Sequence, residues 1–88
     1  MVKIYYTNKF ISSYNKLPEQ IKIKAEKKEK LFKVDPFDPR LDTHKLGGKL
    51  KEFWSFSITN KYRIEFEFLE NKEVLFLKAG THNIYRND

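Results

Sequence analysis

Residues 62–68 read Tyr62-Arg63-Ile64-Glu65-Phe66-Glu67-Phe68. Large apolar side chains take the even positions and charges take 63, 65 and 67. That two-residue period belongs to a strand with one dry face and one wet face. Upstream, Leu50, Trp54, Phe56 and Ile58 largely share the even parity, while Lys51, Phe53, Ser55 and Ser57 take the odd one. Asn60-Lys61 between the two runs reads as a tight turn. Downstream, Glu70-Asn71-Lys72 reads as the next turn and residues 73–79, EVLFLKA, as a third strand of the meander.

The N-terminal half has a different rhythm. Residues 2–6, VKIYY, are β-prone and alternate, so they read as a first strand. Thr7 can cap a helix carrying Phe10, Ile11 and Tyr14 on one stripe, which Leu17 ends. Pro18 suits the first turn of a second helix, where its missing N–H costs nothing. That helix is expected to run to about Lys33, with Ile21, Ala25, Leu31 and Phe32 inward and the KIKAEKKEK residues outward. Residues 35–43, with two Asp-Pro pairs, read as loop. HKLGGK continues the loop, with Gly47 and Gly48 free to take positive φ. The expected class is α+β: an N-terminal strand, an α-helical hairpin, then a three- to four-stranded, mainly antiparallel sheet, in one domain spanning residues 1–88.

The chain has 88 residues and no cysteine, so neither disulfides nor thiolate metal sites supplement its core. No run approaches the ~18 apolar residues of a membrane span, and MVKIYYTNKF lacks the pattern of a signal peptide. A cytoplasmic protein is expected. The net charge is +6 and lopsided. Residues 1–40 carry ten Lys/Arg against five Asp/Glu, and residues 41–88 carry eight against seven. A cation excess favours polyanions or an acidic protein partner, although lysines on a helix are often only its solvated face.

Four features can carry chemistry: His44, Arg63, His82, and Tyr85 with Arg86. Arg63 stands on the polar side of its strand, where parity alone favours a surface arginine paired with Glu65 or Glu67. His82 follows a strand end and a glycine, a common place for functional side chains. RNA cleavage without metal needs a base for the ribose 2′-hydroxyl, an acid for the leaving 5′-oxygen, and a fixed cation for the charge on phosphorus. Histidine serves either proton role and arginine supplies the cation. Two histidines 38 positions apart, without cysteine or paired carboxylates, match no zinc motif, and no phosphate-cradling glycine loop is present. Neither metal nor cofactor is expected.

The segments DPRLDTHKLGGKLKEFWSFSI (38–58), NKYRIEFEF (60–68) and VLFLKAGTHNIYR (74–86), in that order, resemble the RelE/ParE superfamily of type II toxins, closest to its RelE-, YoeB- and YafQ-like mRNA interferases. The resemblance implies a strand, two helices and an antiparallel sheet, and a ribosome-dependent endoribonuclease that inhibits translation. It implies Arg63 as stabiliser of the scissile phosphate, His82 as acid or base, and His44 as a further active-site histidine. Tyr85 would position a nucleotide. Lys49, Lys51, Lys61 and Arg86 would hold flanking substrate. The sequence departs from the family where YafQ-like members place a second histidine (here Ser57) and an acid (here Lys61). The YoeB-type glutamate has no counterpart at its place; Asp42 is nearby but shorter. The general base is therefore ranked His44, then His82, then Glu65. Implied partners are a cognate antitoxin in a hetero-oligomer, the ribosome and messenger RNA. Two alternatives share the basic scaffold: a ParE-like DNA gyrase inhibitor acting by protein binding, and a non-catalytic RNA-binding domain.

Overall fold

Even-numbered burial is what the strands share. Phe56, Ile64, Phe66, Val74 and Phe76 are all buried, and they set the register of the central sheet. The computed structural model describes residues 1–47 and 52–81. Its elements in chain order are β1 (Lys3–Tyr6), α1 (Asn8–Asn15), α2 (Glu19–Val34), a 3₁₀ turn (Pro39–Leu41), β2 (His44–Leu46), β3 (Phe53–Ser57), β4 (Arg63–Phe68) and β5 (Glu73–Gly80). The five-stranded sheet is ordered β1-β5-β4-β3-β2. β1 runs parallel to β5, and the other neighbours are antiparallel. The α+β class is as expected, with five strands in place of three or four. Part of the gain is β2, in the segment read as loop. Three residues between an Asp-Pro-rich stretch and a Gly-Gly pair are too few to display a period.

Thr7 caps α1 as expected, its hydroxyl accepting the Phe10 N–H at 2.9 Å. Phe10 is buried, but Ile11 stays 48% exposed, so the stripe is narrower than three residues. Pro18 sits at the N-cap of α2 and its carbonyl accepts the Ile21 and Lys22 N–H groups. From α2, Ala25 and Phe32 are fully sequestered, while Ile21 and Leu31 pack around them. Phe32 is the hub of the core, with ring centroids 4.9 Å from Phe56, 4.9 Å from Phe66 and 5.3 Å from Phe76. The 35–43 segment contributes more than a loop: its 3₁₀ turn inserts Leu41 fully into the core. The exposed Arg40 guanidinium bonds the partly buried Asp38 carboxylate and holds it down to about 2.

Two hairpin details fix the outer face of the sheet. The β3–β4 hairpin pairs Ser57 with Arg63 and Phe56 with Ile64. A two-residue Asn60-Lys61 turn would instead have set Ser57 opposite Ile64, mixing wet and dry faces. The connection is therefore three residues, 59–61, closed by Ile58 N–H on the Tyr62 carbonyl at 2.8 Å and by the Thr59 hydroxyl accepting the Lys61 and Tyr62 N–H groups. In β5 the pairing passes from Phe66↔Phe76 to Glu65↔Lys78, so Leu77 is an extra, bulged residue. Without it, alternation from Val74 and Phe76 would drive Lys78 into the core. With it, Ala79 goes in and Lys78 turns to the outer face.

β1 covers only residues 73–76 of β5, and α1 covers the edge beyond. Thr7 donates its hydroxyl to the Leu77 carbonyl at 3.0 Å, and Ser13 accepts the Ala79 N–H at 2.9 Å. An edge that would otherwise offer unpaired backbone is thereby closed. Gly47 does not use a left-handed φ, and Gly48 lies outside the described residues.

Candidate functional site

Residues in register across a sheet share a face. Ser57, Arg63 and Gly80 form one row across β3, β4 and β5. His44, Ser55, Glu65 and Lys78 form the adjacent row, running from β2 to β5. Both rows stand opposite the Phe56, Ile64 and Ala79 side chains that face the core. The polar face of the sheet thus collects an imidazole, a guanidinium, an ammonium, a carboxylate and two serine hydroxyls.

Arg63 is half-buried and not the surface ion-pair partner that parity allowed. Its Nη1 donates to Ser57 Oγ at 2.9 Å. Its Nε is buried and has no hydrogen-bond partner among the described residues. A buried, unsatisfied donor costs about 1–3 kcal/mol. Beside it on β5 stands Gly80, which has no side chain to fill that flank. A guanidinium held on one nitrogen and unsatisfied on the next is set to receive an oxyanion through its fork.

His44 is exposed on β2, one row away. Its Nδ1 lies 3.0 Å from the Asp42 carbonyl oxygen. A carbonyl only accepts, so Nδ1 carries the proton, and in the neutral ring Nε2 holds the lone pair. Asp42 takes a left-handed conformation, φ 51° and ψ 45°, at the end of the 3₁₀ turn. This backbone kink brings its carbonyl under the imidazole. Two strand spacings and two residues along the strand separate His44 from Arg63, about 12 Å between Cα atoms. Two side chains reaching inward with a phosphodiester between them fill such a span. Glu65, third in the ranking for the base, is buried at 3% exposure, out of easy reach of a ribose.

Lys61 is exposed at the hairpin tip beside the Arg63 row. His82, Tyr85, Arg86, Lys49 and Lys51 lie outside the described residues. The structure therefore brings Arg63 and His44 to one face, with Lys61 at its end. Two contributors were missed in the sequence: Ser57, the partner of Arg63, and the Asp42 carbonyl, the partner of His44. Ser57 could have been found. Core residues are even-numbered on both β3 and β4, so paired positions must sum to an even number, and Ser57 opposite Arg63 satisfies this. The Asp42 contact depends on a left-handed residue that no local motif announces.

Among the described residues, no group of three or more His, Cys, Asp or Glu is placed to hold a metal ion. No helix among them is long and apolar enough to cross a membrane.

No protein-family model matches the chain, and no curated protein sequence does. Solved structures do match. The E. coli DinJ–YafQ toxin–antitoxin complex contains a chain similar to this one with TM-score 0.77 and 17% identity, over 98% of both chains. The YoeB/ParE toxin of Agrobacterium tumefaciens gives TM-score 0.75 and 18% identity, over 92% of this chain and 99% of that one. A chain of the archaeal RelE–RelB complex from Pyrococcus horikoshii gives 0.73 and 14%, over 91% and 93%. The chain has the fold of the RelE-, YafQ- and YoeB-type toxins.

Proposed function

From that shared fold, we propose that this chain is the toxin of a type II toxin–antitoxin pair, a metal-independent endoribonuclease acting on messenger RNA at the ribosome. The observation that carries the reading is Arg63: Nη1 anchored on Ser57, Nε buried without a partner among the described residues. An orphan cationic donor is retained where a ligand oxygen completes it.

In this mechanism Nε2 of His44 takes the proton of a ribose 2′-hydroxyl. The freed oxygen attacks the adjacent phosphorus. Arg63 bonds the non-bridging oxygens as their charge grows, which is the part of the reaction where fixed donors matter most. His82 gives a proton to the leaving 5′-oxygen. The products are a 2′,3′-cyclic phosphate and a 5′-hydroxyl. Tyr85 stacks on a neighbouring base, and Lys49, Lys51, Lys61 and Arg86 hold flanking phosphates. The partner in the resting state is a cognate antitoxin, as in the DinJ–YafQ and RelE–RelB complexes of the similar chains.

The test is growth arrest on induced expression. Arg63→Ala and His82→Ala are expected to relieve it at equal protein level with unchanged melting behaviour. Full toxicity in both variants contradicts the reading, and DNA breaks with an SOS response would point to gyrase.

A further inference from the structure

The mechanism leaves one sizeable cleft unused. It has a volume of about 570 Å³ and lies between α1 and the end of β5. Lys9 lines it from α1, Lys16 from the C-cap of that helix, and Lys78 from β5; among the described residues no carboxylate contributes to its wall. Leu17, Pro18 and Ala79 give it an apolar floor, and the Tyr62 ring and the Ser12 and Thr81 hydroxyls complete it. Cations with hydroxyls over an apolar, aromatic floor suit a nucleotide: phosphate on the first, base on the second.

Position ties the cleft to the reaction centre. Gly80 lines it and is also the register partner of Arg63. The cleft therefore begins one strand spacing, about 4.8 Å, from the strand that carries the guanidinium. Because Ala79 and Tyr62 belong to the core-facing side, an RNA strand reaches it from Arg63 by passing round the end of β5 at Gly80. Lys9 and Lys16 are seven residues apart in chain order, two turns along one face, which separates their Cα atoms by about 10 Å. At that spacing they meet different phosphates.

We propose that this cleft is the subsite for the nucleotide flanking the scissile bond of single-stranded RNA, with Lys9 and Lys16 each on one phosphate and Tyr62 against a base. The proposal rests on the ribonuclease reading above and gives the strand a direction: from the His44 edge of the sheet, over Arg63, to α1.

The test uses the full chain and a short mixed-sequence oligoribonucleotide, 2′-O-methylated so that it cannot be cut. Each phosphate contact to a single strand contributes about 0.7 to the slope of log K against log salt. The Lys9→Ala/Lys16→Ala protein should lose about 1.4 of that slope. Lys24→Ala/Lys27→Ala, which removes the same charge from the exposed face of α2, should leave it unchanged. Lys9→Gln/Lys16→Gln guards against a helix effect and should match the alanine pair. On cleavable message the cleft variant should show KM raised several-fold with kcat retained. Message cleavage by the wild type together with an unchanged slope in the cleft variant overturns the subsite and leaves the ribonuclease reading standing. The predicted slope loss without cleavage by the wild type supports an RNA-binding cleft and overturns the ribonuclease reading. Equal slope losses in the cleft and α2 variants reduce the cleft to general charge and overturn the subsite.

Discussion

Arg63 keeps a buried donor that no group among the described residues satisfies. Such a group is tolerated for what it binds, and its removal should not harm the fold. Arg63→Ala is expected to lower cleavage by about 10²–10³-fold and to leave the urea midpoint equal to or above that of the wild type. Arg63→Lys should not restore activity, because an ammonium cannot reproduce the planar fork. Ser57→Ala frees Nη1 to wander and should reduce kcat by about 10- to 100-fold without unfolding the chain. Loss of stability in these variants, with activity intact, would make the cluster structural. His44→Ala should cost about 10²–10⁴-fold if the ring is the base.

At the scale of elements, turns and edges decide which face each side chain takes. The β4–β5 turn holds Asn71 and Lys72 at φ 59° and 60°, both left-handed. Lysine there is strained where glycine would not be, so Lys72→Gly should stabilise the protein by about 0.5–1 kcal/mol in urea titration. Ser13→Ala leaves the Ala79 N–H without its acceptor and should destabilise by about 1–3 kcal/mol. These elements were unequally legible in the sequence. The alternation of 62–68 was enough to place β4, its wet face and Arg63 on that face. Thr7 and Pro18 announced both helix starts through cap chemistry. The β3–β4 register was also readable, since only an even pairing sum keeps Phe56 and Ile64 together. The bulge at Leu77 was not, although Lys78 at a core parity was its one trace. β2 was too short to read, and with it went the strand position of His44. The imidazole's tautomer follows from the left-handed Asp42, a tertiary outcome.

For the whole molecule, a core this small leans on few side chains. Phe32→Ala removes the hub of the aromatic cluster and should cost about 3–5 kcal/mol, a large share of the stability of a domain this size. Charge at the surface acts through Tyr6, whose hydroxyl donates to the Glu29 carboxylate and so ties β1 to α2. Burial first, then this acceptor, pushes the Tyr6 phenol well above its ordinary value. A group raised in the folded state stabilises fully below its unfolded value, near pH ~10, and loses that contribution as pH climbs toward the folded one. Wild-type stability should therefore fall more steeply from pH ~10 upward than that of Tyr6→Phe, measured by urea unfolding in steps of pH. Equal slopes would show that the bond does not couple to folding.

The most direct measurement is of 5′-hydroxyl ends in messages from a translating extract, mapped after addition of the purified wild-type protein and of Arg63→Ala. The wild type should produce new, discrete ends within coding sequence, and Arg63→Ala should produce none above background. Equal cutting by both proteins, or intact messages with both, would contradict a phosphodiester-cleaving role for the Arg63 face.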